Sequence, residues 1–343
     1  MGKNKYQSVV EFTRSVQTEK TRHVALLIGN GINRYKNELA DSWSALLRKS
    51  LSDVEIELDW LTPKVLSEIS LLQLFDLVAN QFEGNENLQR RLKDAVSSRI
   101  RSWKPAVQHS LLVNTARKYS APILTTNFDR TLVLADPEIE RAHQIVEGRY
   151  KPHYYSREGK YPGWQFPWMC YFSNAKIVSP LDEFAIWHLH GTSEYKRSIR
   201  LGLEDYFSMA EKAKGWLYGG SKSLRKSEDS WYGSQSWMEP FFKSTLIIYG
   251  LGINREELFI RWLLIKRNAY LKDFDKRGMQ SGVDTYYLCN KNELKGKDGR
   301  DKELFLNQVG VKIVLASSRR QLYETFPKVH LPKWLNSNLM RRK

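Results

Sequence analysis

A six-residue pattern, Gly-x-Gly-Ile-Asn-Arg, occurs twice in the chain, each time directly after a short apolar run. The first copy is Gly29–Arg34, after His23–Ile28, and the second is Gly250–Arg255, after Ser244–Tyr249. A short apolar run that ends in glycine predicts a buried strand. Glycines between a strand and a helix let phosphate approach backbone N–H groups, although a tight turn needs the same residues. For a single copy, phosphate binding and a simple tight turn are about equally well supported, whereas the presence of two copies favours phosphate binding.

Further short apolar runs extend the strand pattern along the chain. They lie at 122–124, 184–189, 284–288 and 312–315. Strands alternate with helical periodicity from 244 to 326, which predicts parallel βαβ units. Asn254 is predicted to cap the helix after the second glycine turn, with Glu256 and Glu257 complementing the dipole of its first turn. The predicted fold class is therefore α/β, a doubly wound Rossmann-like parallel sheet with helical insertions.

The segments between and beside the predicted strands are expected to be insertions and terminal extensions of one Rossmann-like domain. That domain covers residues 21–330, with a helical insertion at 35–118, an aromatic-rich insertion at 136–175 and a helical connection at 207–240. Rings and prolines in the second insertion favour a structured loop or a β-hairpin over a helix. Residues 1–20 are predicted to be an N-terminal arm, either a short helix or a loose end, and residues 331–343 a basic, solvated tail.

Composition restricts the chemistry that this fold can carry. Only Cys170 and Cys289 are present, too few for a four-cysteine zinc ribbon or a disulfide framework. The net charge of +16 attracts polyanions, but the basic residues are spread from Lys3 to Lys343 rather than clustered. No apolar run approaches the roughly 18 residues of a membrane span, and the N-terminus lacks an apolar signal core. A cytoplasmic protein is therefore expected.

Two polar motifs follow other predicted strands, at the sheet edge where α/β folds bind ligands. Thr125–Asp129 reads Thr-Thr-Asn-Phe-Asp, and His190 stands before Gly191. Spacing alone favours a helix cap at Thr126 or Asn127, which leaves room for a ligand contact as well. A lone histidine is more often packed than catalytic, and His188 lies two residues earlier. The glycine beside His190 favours it over His188, because glycine allows close approach of a ligand.

Taken in chain order, these motifs resemble those of the sirtuins. The resemblance includes Leu288–Glu293 and Val311–Arg320, so that scattered blocks match in order between about residues 24 and 325. The missing zinc ribbon and the large helical insertion make the chain similar to the bacterial SIR2-like effectors of anti-phage defence. Those proteins lack the ribbon and cleave NAD rather than deacylate peptides.

The resemblance implies an NAD⁺ glycohydrolase that acts in abortive infection, with NAD as substrate and no metal. It implies that Asn127 holds the nicotinamide ribose or the attacking water, and that Asp129 orders the Asn127 turn. His190 would be the general base, a task that suits a pKa near neutrality. The residues that would bind the dinucleotide are Gly29, Asn30, Gly31, Asn33, Thr126, Gly250, Gly252, Asn290 and Ser317.

The same resemblance implies a homo-oligomer with a protein partner such as a HerA-type ATPase, a short Argonaute or a STAND module. A competing hypothesis is a nucleic-acid-binding or partner-binding module on a sirtuin-like fold, using the positive charge and the ring-rich segment 150–172. A hydrophobic interface with another copy of the chain or with a partner explains that segment slightly better. An NAD-dependent protein deacylase is less favoured because zinc ligands are missing.

Overall fold

The computed structural model describes most of the chain. The described residues are 6–15, 23–36, 40–54, 62, 68–80, 86–142, 145–146, 149–150, 153–154, 167–277 and 282–339. Within them seven parallel strands form one sheet. In chain order these strands are β1 (Gln7–Ser8), β2 (Val24–Ile28), β3 (Ile123–Thr125), β4 (Ile186–His188), β5 (Thr245–Tyr249), β6 (Thr285–Asn290) and β7 (Lys312–Ala316).

The helices surround this sheet. They are α1 (Val9–Ser15), α2 (Trp43–Asp53), α3 (Leu71–Asn80), α4 (Glu86–Arg101), α5 (Val107–Lys118), α6 (Thr131–Leu134), α7 (Pro137–Ala142), α8 (Leu203–Tyr218), α9 (Met238–Lys243), α10 (Leu258–Lys276), α11 (Gly296–Gln308) and α12 (Leu331–Leu339). Short 3₁₀ helices cover Asn33–Tyr35, Lys196–Ser198 and Lys291–Leu294, and a π-helix covers Gln321–His330.

The strand order is β1-β7-β6-β5-β2-β3-β4. From β2 the chain runs outward through β3 and β4, then returns to the other side of β2 and runs outward through β5, β6 and β7. This is the order of a doubly wound sheet, with a topological switch point between β2 and β5. The structure thus confirms the predicted α/β class with a Rossmann-like parallel sheet.

Strands β2 and β5 are buried throughout and consist mostly of apolar residues because both faces of the sheet are covered. On one face, Ala25 and Leu27 join a core that includes Leu263 of α10. On the other face, Leu26 and Ile28 join a second core with α5 and the π-helix. Successive side chains of a strand point to opposite faces, so each strand contributes to both cores.

The predicted helical insertion at 35–118 forms helices, but these divide into two groups. Helices α2, α3 and α4 share a separate apolar core built around Leu47, Phe75 and Val96. Helix α5 instead packs on the sheet through Leu112 and Ala116. The part of the insertion that stands apart from the sheet is therefore α2–α4.

Both ends of the described chain pack onto the domain. Residues 7–15, where the sequence leaves a short helix or a loose end open, form edge strand β1 and helix α1, and Phe12 is fully buried. The expectation of a solvated tail from residue 331 is wrong for α12. Its Trp334 is fully buried and stacks on Phe12 at 5.7 Å between ring centroids. Residues 340–343 lie outside the described part.

The aromatic-rich insertion contains short antiparallel strand pairs. Ile145–Val146 pairs with Arg149–Tyr150, and His153–Tyr154 pairs with Cys170–Tyr171. Helix α7 lies at the start of the segment, where a loop or hairpin is expected from sequence. Residues 155–166, which carry much of the ring-rich stretch, lie outside the described residues. The connection at 207–240 consists of α8, a run of turns and the start of α9. In the described chain no helix has the length and apolarity that crossing a membrane requires.

Candidate functional site

The register of the sheet brings the predicted motifs to one edge. Ile28 of β2 is level with Tyr249 of β5 and with Thr125 of β3, and Thr125 is level with His188 of β4. The residues that follow these four positions therefore emerge side by side. They border a cavity of about 410 Å³ at the switch point, within the size range of small-molecule sites.

The cavity wall combines the strand-end motifs with the helical insertion. Its residues are Asn30, Gly31, Arg34, Ser42, Trp43, Leu46, Leu71, Ile100, Trp103, Thr126, Asn127, Phe128, Asp129, His190, Tyr206, Gly250, Leu251, Gly252, Asn254, Glu256, Glu257, Glu293, Arg319 and Tyr323. Of the predicted site residues, this set contains Asn30, Gly31, Thr126, Asn127, Asp129, His190, Gly250 and Gly252. It does not contain Gly29, Asn33, Asn290 or Ser317.

The two glycine turns pack directly against each other. The N–H of Gly31 donates to the carbonyl of Gly250 at 2.7 Å. A Cβ atom on Gly29 would lie 2.4 Å from the Cα of Leu251, so glycine is required there for packing. Gly250 has φ +67°, in the left-handed region that glycine adopts without strain. Gly31, Gly250 and Gly252 thus face the cavity, while Gly29 joins the two turns behind them.

Asn33 ties the first glycine turn to its neighbours rather than facing the cavity. Its side chain is fully buried, and its Nδ2 donates to Asp129 Oδ2 at 2.7 Å and to Asn30 Oδ1 at 3.0 Å. Its Oδ1 lies 2.8 Å from Nε2 of His109. Because His109 Nδ1 accepts from the N–H of Ala106, Nε2 carries the hydrogen and donates to Asn33. Burial lowers the pKa of His109, which keeps this imidazole neutral.

Asp129 holds the turn after β3. One carboxylate oxygen accepts from the main-chain N–H of Thr131 at 2.9 Å, and the other accepts from Asn33. The cap interpretation of Thr126 or Asn127 is wrong, because α6 begins only at Thr131 and its N-cap residue is Arg130. The turn is therefore fixed by side-chain hydrogen bonds rather than by a helix that starts at Asn127.

Asn127 lines the cavity and carries a buried donor without a partner in the described structure. The side chain is buried, and its Nδ2 has no hydrogen-bond partner among the described residues. Its main chain is held from both sides, since the N–H donates to Thr125 Oγ1 and the carbonyl accepts from Nδ1 of His188. A buried amide N–H₂ without a partner costs about 1–3 kcal/mol, which a ligand acceptor would recover.

The structure separates the two candidate histidines. His188 is committed to the Asn127 carbonyl and lies edge-on to Phe172, outside the cavity wall. His190 lines the cavity, and its Nε2 has no partner in the described part of the chain. The hydroxyl of Tyr206 is 3.4 Å from its Nδ1. Burial lowers the pKa of His190 to about 3, far from the near-neutral value that a general base is expected to have.

Two acidic residues of the cavity wall are missing from the sequence-based site. Helix α10 begins at Leu258, so Glu256 and Glu257 precede it instead of forming its first turn. Burial, and to a lesser extent the neighbouring charge of Glu256, raises the pKa of Glu257 to about 7. The sequence signal was two adjacent carboxyl groups directly behind the second glycine turn. Because two acidic residues are equally expected in the first turn of a helix, where they complement its dipole, the sequence alone does not indicate that this pair lines a cavity.

The insertion supplies an apolar wall opposite these polar groups. Trp43 packs on Phe128 at 5.3 Å between ring centroids, and Phe128 lies 6.4 Å from the ring of His190. Helix α3 is joined to the body of the domain through Asp76. Its Oδ2 accepts from the N–H of Leu203, at the start of α8, at 2.7 Å. Helical periodicity cannot show this arrangement, because it says nothing about which distant element a helix covers.

The last two predicted site residues in the chain, Asn290 and Ser317, do not line the cavity, but residues close to them in sequence do. The Asn290 side chain accepts from the N–H of Asn292 and caps a 3₁₀ helix. The N–H of Ser317 donates to the side chain of Gln321. Glu293, Arg319 and Tyr323 line the cavity instead.

Comparisons with known proteins add no family name to this geometry. No family model matches the chain, and no curated protein matches it. The described residues also contain no group of three His, Cys, Asp or Glu side chains placed to hold a metal ion.

Together these groups define the ligand that the cavity suits. The two glycine turns and two arginines, Arg34 and Arg319, are groups that bind anions, whereas four acidic residues line the rest of the wall, namely Asp129, Glu256, Glu257 and Glu293. The free amide of Asn127 and the imidazole of His190 suit sugar hydroxyls. The aromatic wall around Trp43 suits a flat ring.

Proposed function

We propose that the chain is an NAD⁺ glycohydrolase, which splits NAD⁺ into nicotinamide and ADP-ribose. One observation carries the proposal. The side chains of Asn127 and His190 are buried, each keeps a nitrogen without a partner in the described structure, and both line the cavity at the switch point. Ligands of doubly wound folds bind at that point, and dinucleotides are the characteristic ones.

The cavity offers a place for each part of the substrate. The main chain at Gly31 and Gly250, with Arg34 and Arg319, would hold the pyrophosphate. The amide of Asn127 would donate to a ribose hydroxyl or to the attacking water. The ring of His190, held against Tyr206, would exchange a hydrogen bond with the same groups.

Cleavage of the bond between nicotinamide and ribose passes through an oxocarbenium-like state, so groups that fix the ribose and the water lower the barrier. Asn127 has its main chain held on both sides, and Asp129 fixes the same turn through Thr131. Preorganised donors of this kind need no rearrangement during the reaction.

The biological setting belongs to the same proposal and rests on the resemblance to SIR2-like defence effectors. It comprises a role in abortive infection, action in the cytoplasm, self-association and a partner such as a HerA-type ATPase, a short Argonaute or a STAND module. The order of the motifs along the chain, and the position of both glycine turns, the Thr125–Asp129 motif and His190 around one cavity, support it.

The test is release of nicotinamide and ADP-ribose from NAD⁺ by the purified chain, followed by chromatography without any peptide acceptor. We expect release by the wild type and by Asn307→Ala, an exposed helix position. Asn127→Ala and His190→Ala should each lose about 100-fold or more, the cost of one positioned polar group.

Three other outcomes would count against the proposal. Release that survives in both variants would move the chemistry to other residues. Binding of NAD⁺ without cleavage would favour a binding module. A folded wild-type chain that neither binds nor cleaves NAD⁺ would refute the proposal.

A further inference from the structure

Glu257 lies in the cavity wall, immediately before α10. Its main-chain carbonyl accepts from the N–H of Arg261 at 2.9 Å, so the first helical turn fixes its backbone. Among the described residues the carboxyl group has no hydrogen bond or ion pair. By contrast, Asp205 pairs with Arg200 and Asp301 pairs with Arg255. The carboxyl group of Glu257 therefore remains available to a ligand.

The imidazole of His190 is enclosed more completely than Glu257. Tyr206 packs edge-on against it at 5.1 Å between centroids, and the ring of Phe259 lies at 6.2 Å. This apolar surrounding lowers its pKa to about 3, so at neutral pH it exchanges hydrogen bonds but barely holds a proton. A proton acceptor works best when its pKa lies near the working pH. Glu257, with a pKa raised by burial to about 7, meets that condition.

We propose that Glu257 is the proton acceptor of the hydrolytic step, while His190 and Asn127 hold the ribose and the water. The inference rests on the proposed cleavage of NAD⁺. The water oxygen bonds to C1′ of the ribose as the C1′–N bond breaks, and that bond's electron pair neutralises the pyridinium ring. The water proton passes to the carboxylate of Glu257 and later returns to solvent. An ionised carboxylate at this place also stabilises the oxocarbenium-like state, as in glycoside hydrolysis.

The neighbouring charges support a carboxyl group that changes protonation state during the reaction. Glu256 is the adjacent like charge, and Tyr206 of α8 faces both glutamates with Asp205 close to it. The other charged residues of the cavity wall are Arg34, Arg319, Asp129 and Glu293. Burial outweighs the other influences on Glu257, so replacing Glu256 should shift its titration less than opening the cavity would.

The experiment is the rate of nicotinamide release from pH 5 to pH 9. For the wild type we expect a rise of about tenfold per pH unit up to about pH 7, then a plateau. Glu257→Gln should be at least about 100-fold slower at pH 8, lose the inflection and keep its KM for NAD⁺ within a few-fold. Asp273→Asn is the matched control, because it removes the same charge from α10 about 24 Å further along the helix.

The outcomes separate this inference from the function on which it rests. Glu257→Gln with wild-type rate and pH profile would overturn the inference and leave NAD⁺ cleavage intact. A folded wild-type chain that releases no nicotinamide at any pH would overturn both. If the Glu257→Gln variant has a lower unfolding temperature than the wild type, the Glu257→Ala variant is used to test the inference instead. Formate should restore its rate, and a lack of rescue would count against the inference.

Discussion

Replacing Asn33 with alanine should destabilise the fold far more than other asparagine substitutions. The side chain is fully buried and joins three parts of the chain: the first glycine turn, helix α5 and the turn after β3. It donates to Asp129 and Asn30 and accepts from His109. Alanine removes all of these hydrogen bonds and replaces none.

The magnitude follows from the groups that alanine leaves behind. The Nε2–H of His109 and one carboxylate oxygen of Asp129 lose their partners, and each buried unsatisfied group costs about 1–3 kcal/mol. Asn30 is only half-buried, so water replaces its lost bond. The hydroxyl of Thr131, which lies 2.9 Å from Asn33 Oδ1, loses that acceptor but keeps Asp129 as another. We expect a loss of about 3–5 kcal/mol, a large share of the roughly 5–15 kcal/mol that stabilises a typical domain.

The assay is urea unfolding followed by far-UV circular dichroism, with Asn307→Ala as an exposed control expected within about 0.5 kcal/mol of wild type. A double-mutant cycle with His109→Ala isolates the coupling between the two side chains, which should exceed about 0.5 kcal/mol. A loss below about 1 kcal/mol for Asn33→Ala, or additivity with His109→Ala, would refute the network argument.

Two further predictions concern the same cavity. Acid should destabilise the wild type more than His190→Gln. The imidazole of His190 takes up a proton near pH 6.5 in the unfolded state but only near pH 3 in the folded state, so its contribution to stability is complete above pH 6.5 and falls below it. At pH 5 this loss should lower the free energy of unfolding of the wild type, measured by urea titration, by about 2 kcal/mol relative to His190→Gln. Parallel pH profiles of the two proteins would contradict the prediction. Gly31→Ala should lower the unfolding temperature and weaken NAD⁺ binding, because the new Cβ would lie 2.4 Å from Tyr323 Oη and 2.8 Å from Gly250 Cα. Gly215→Ala is the control, because nothing lies within 4 Å of its added atom. Equal stability of the two variants would contradict the packing argument.

The central sheet is predictable from sequence because β2 and β5 are buried on both faces. Such strands have continuous apolar runs, and the glycines that follow mark where each strand ends. The two ends of the chain are harder to predict. Phe12 and Trp334 lie in short segments of mixed polar and apolar residues, and only the fold shows that they stack on each other. Their burial depends on a contact between residues more than 300 positions apart in the chain.

The candidate site is predictable to the level of its motifs, and less so to the level of single side chains. The pattern places Gly31 and Asn33 in one turn, but it does not show which side chain faces the cavity. His109 decides this for Asn33, by holding its Oδ1 from helix α5. A local hydrogen bond also explains why Asn290 does not line the cavity, because its side chain caps the 3₁₀ helix that follows it. The apolar wall from α2–α4 depends on how three helices share a core of their own.

The roles of His190 and Glu257 show why residue type alone is a weak guide to acid–base chemistry. In water histidine is the stronger base by about two pKa units. In this cavity burial acts on both groups, but in opposite directions, because it always penalises the charged form. The histidine loses its proton more easily, and the glutamate holds its proton more tightly. The order of the two bases is therefore inverted, and at neutral pH the carboxylate becomes the better proton acceptor. Sequence reasoning that ranks candidates by their usual pKa selects His190; the environment selects Glu257.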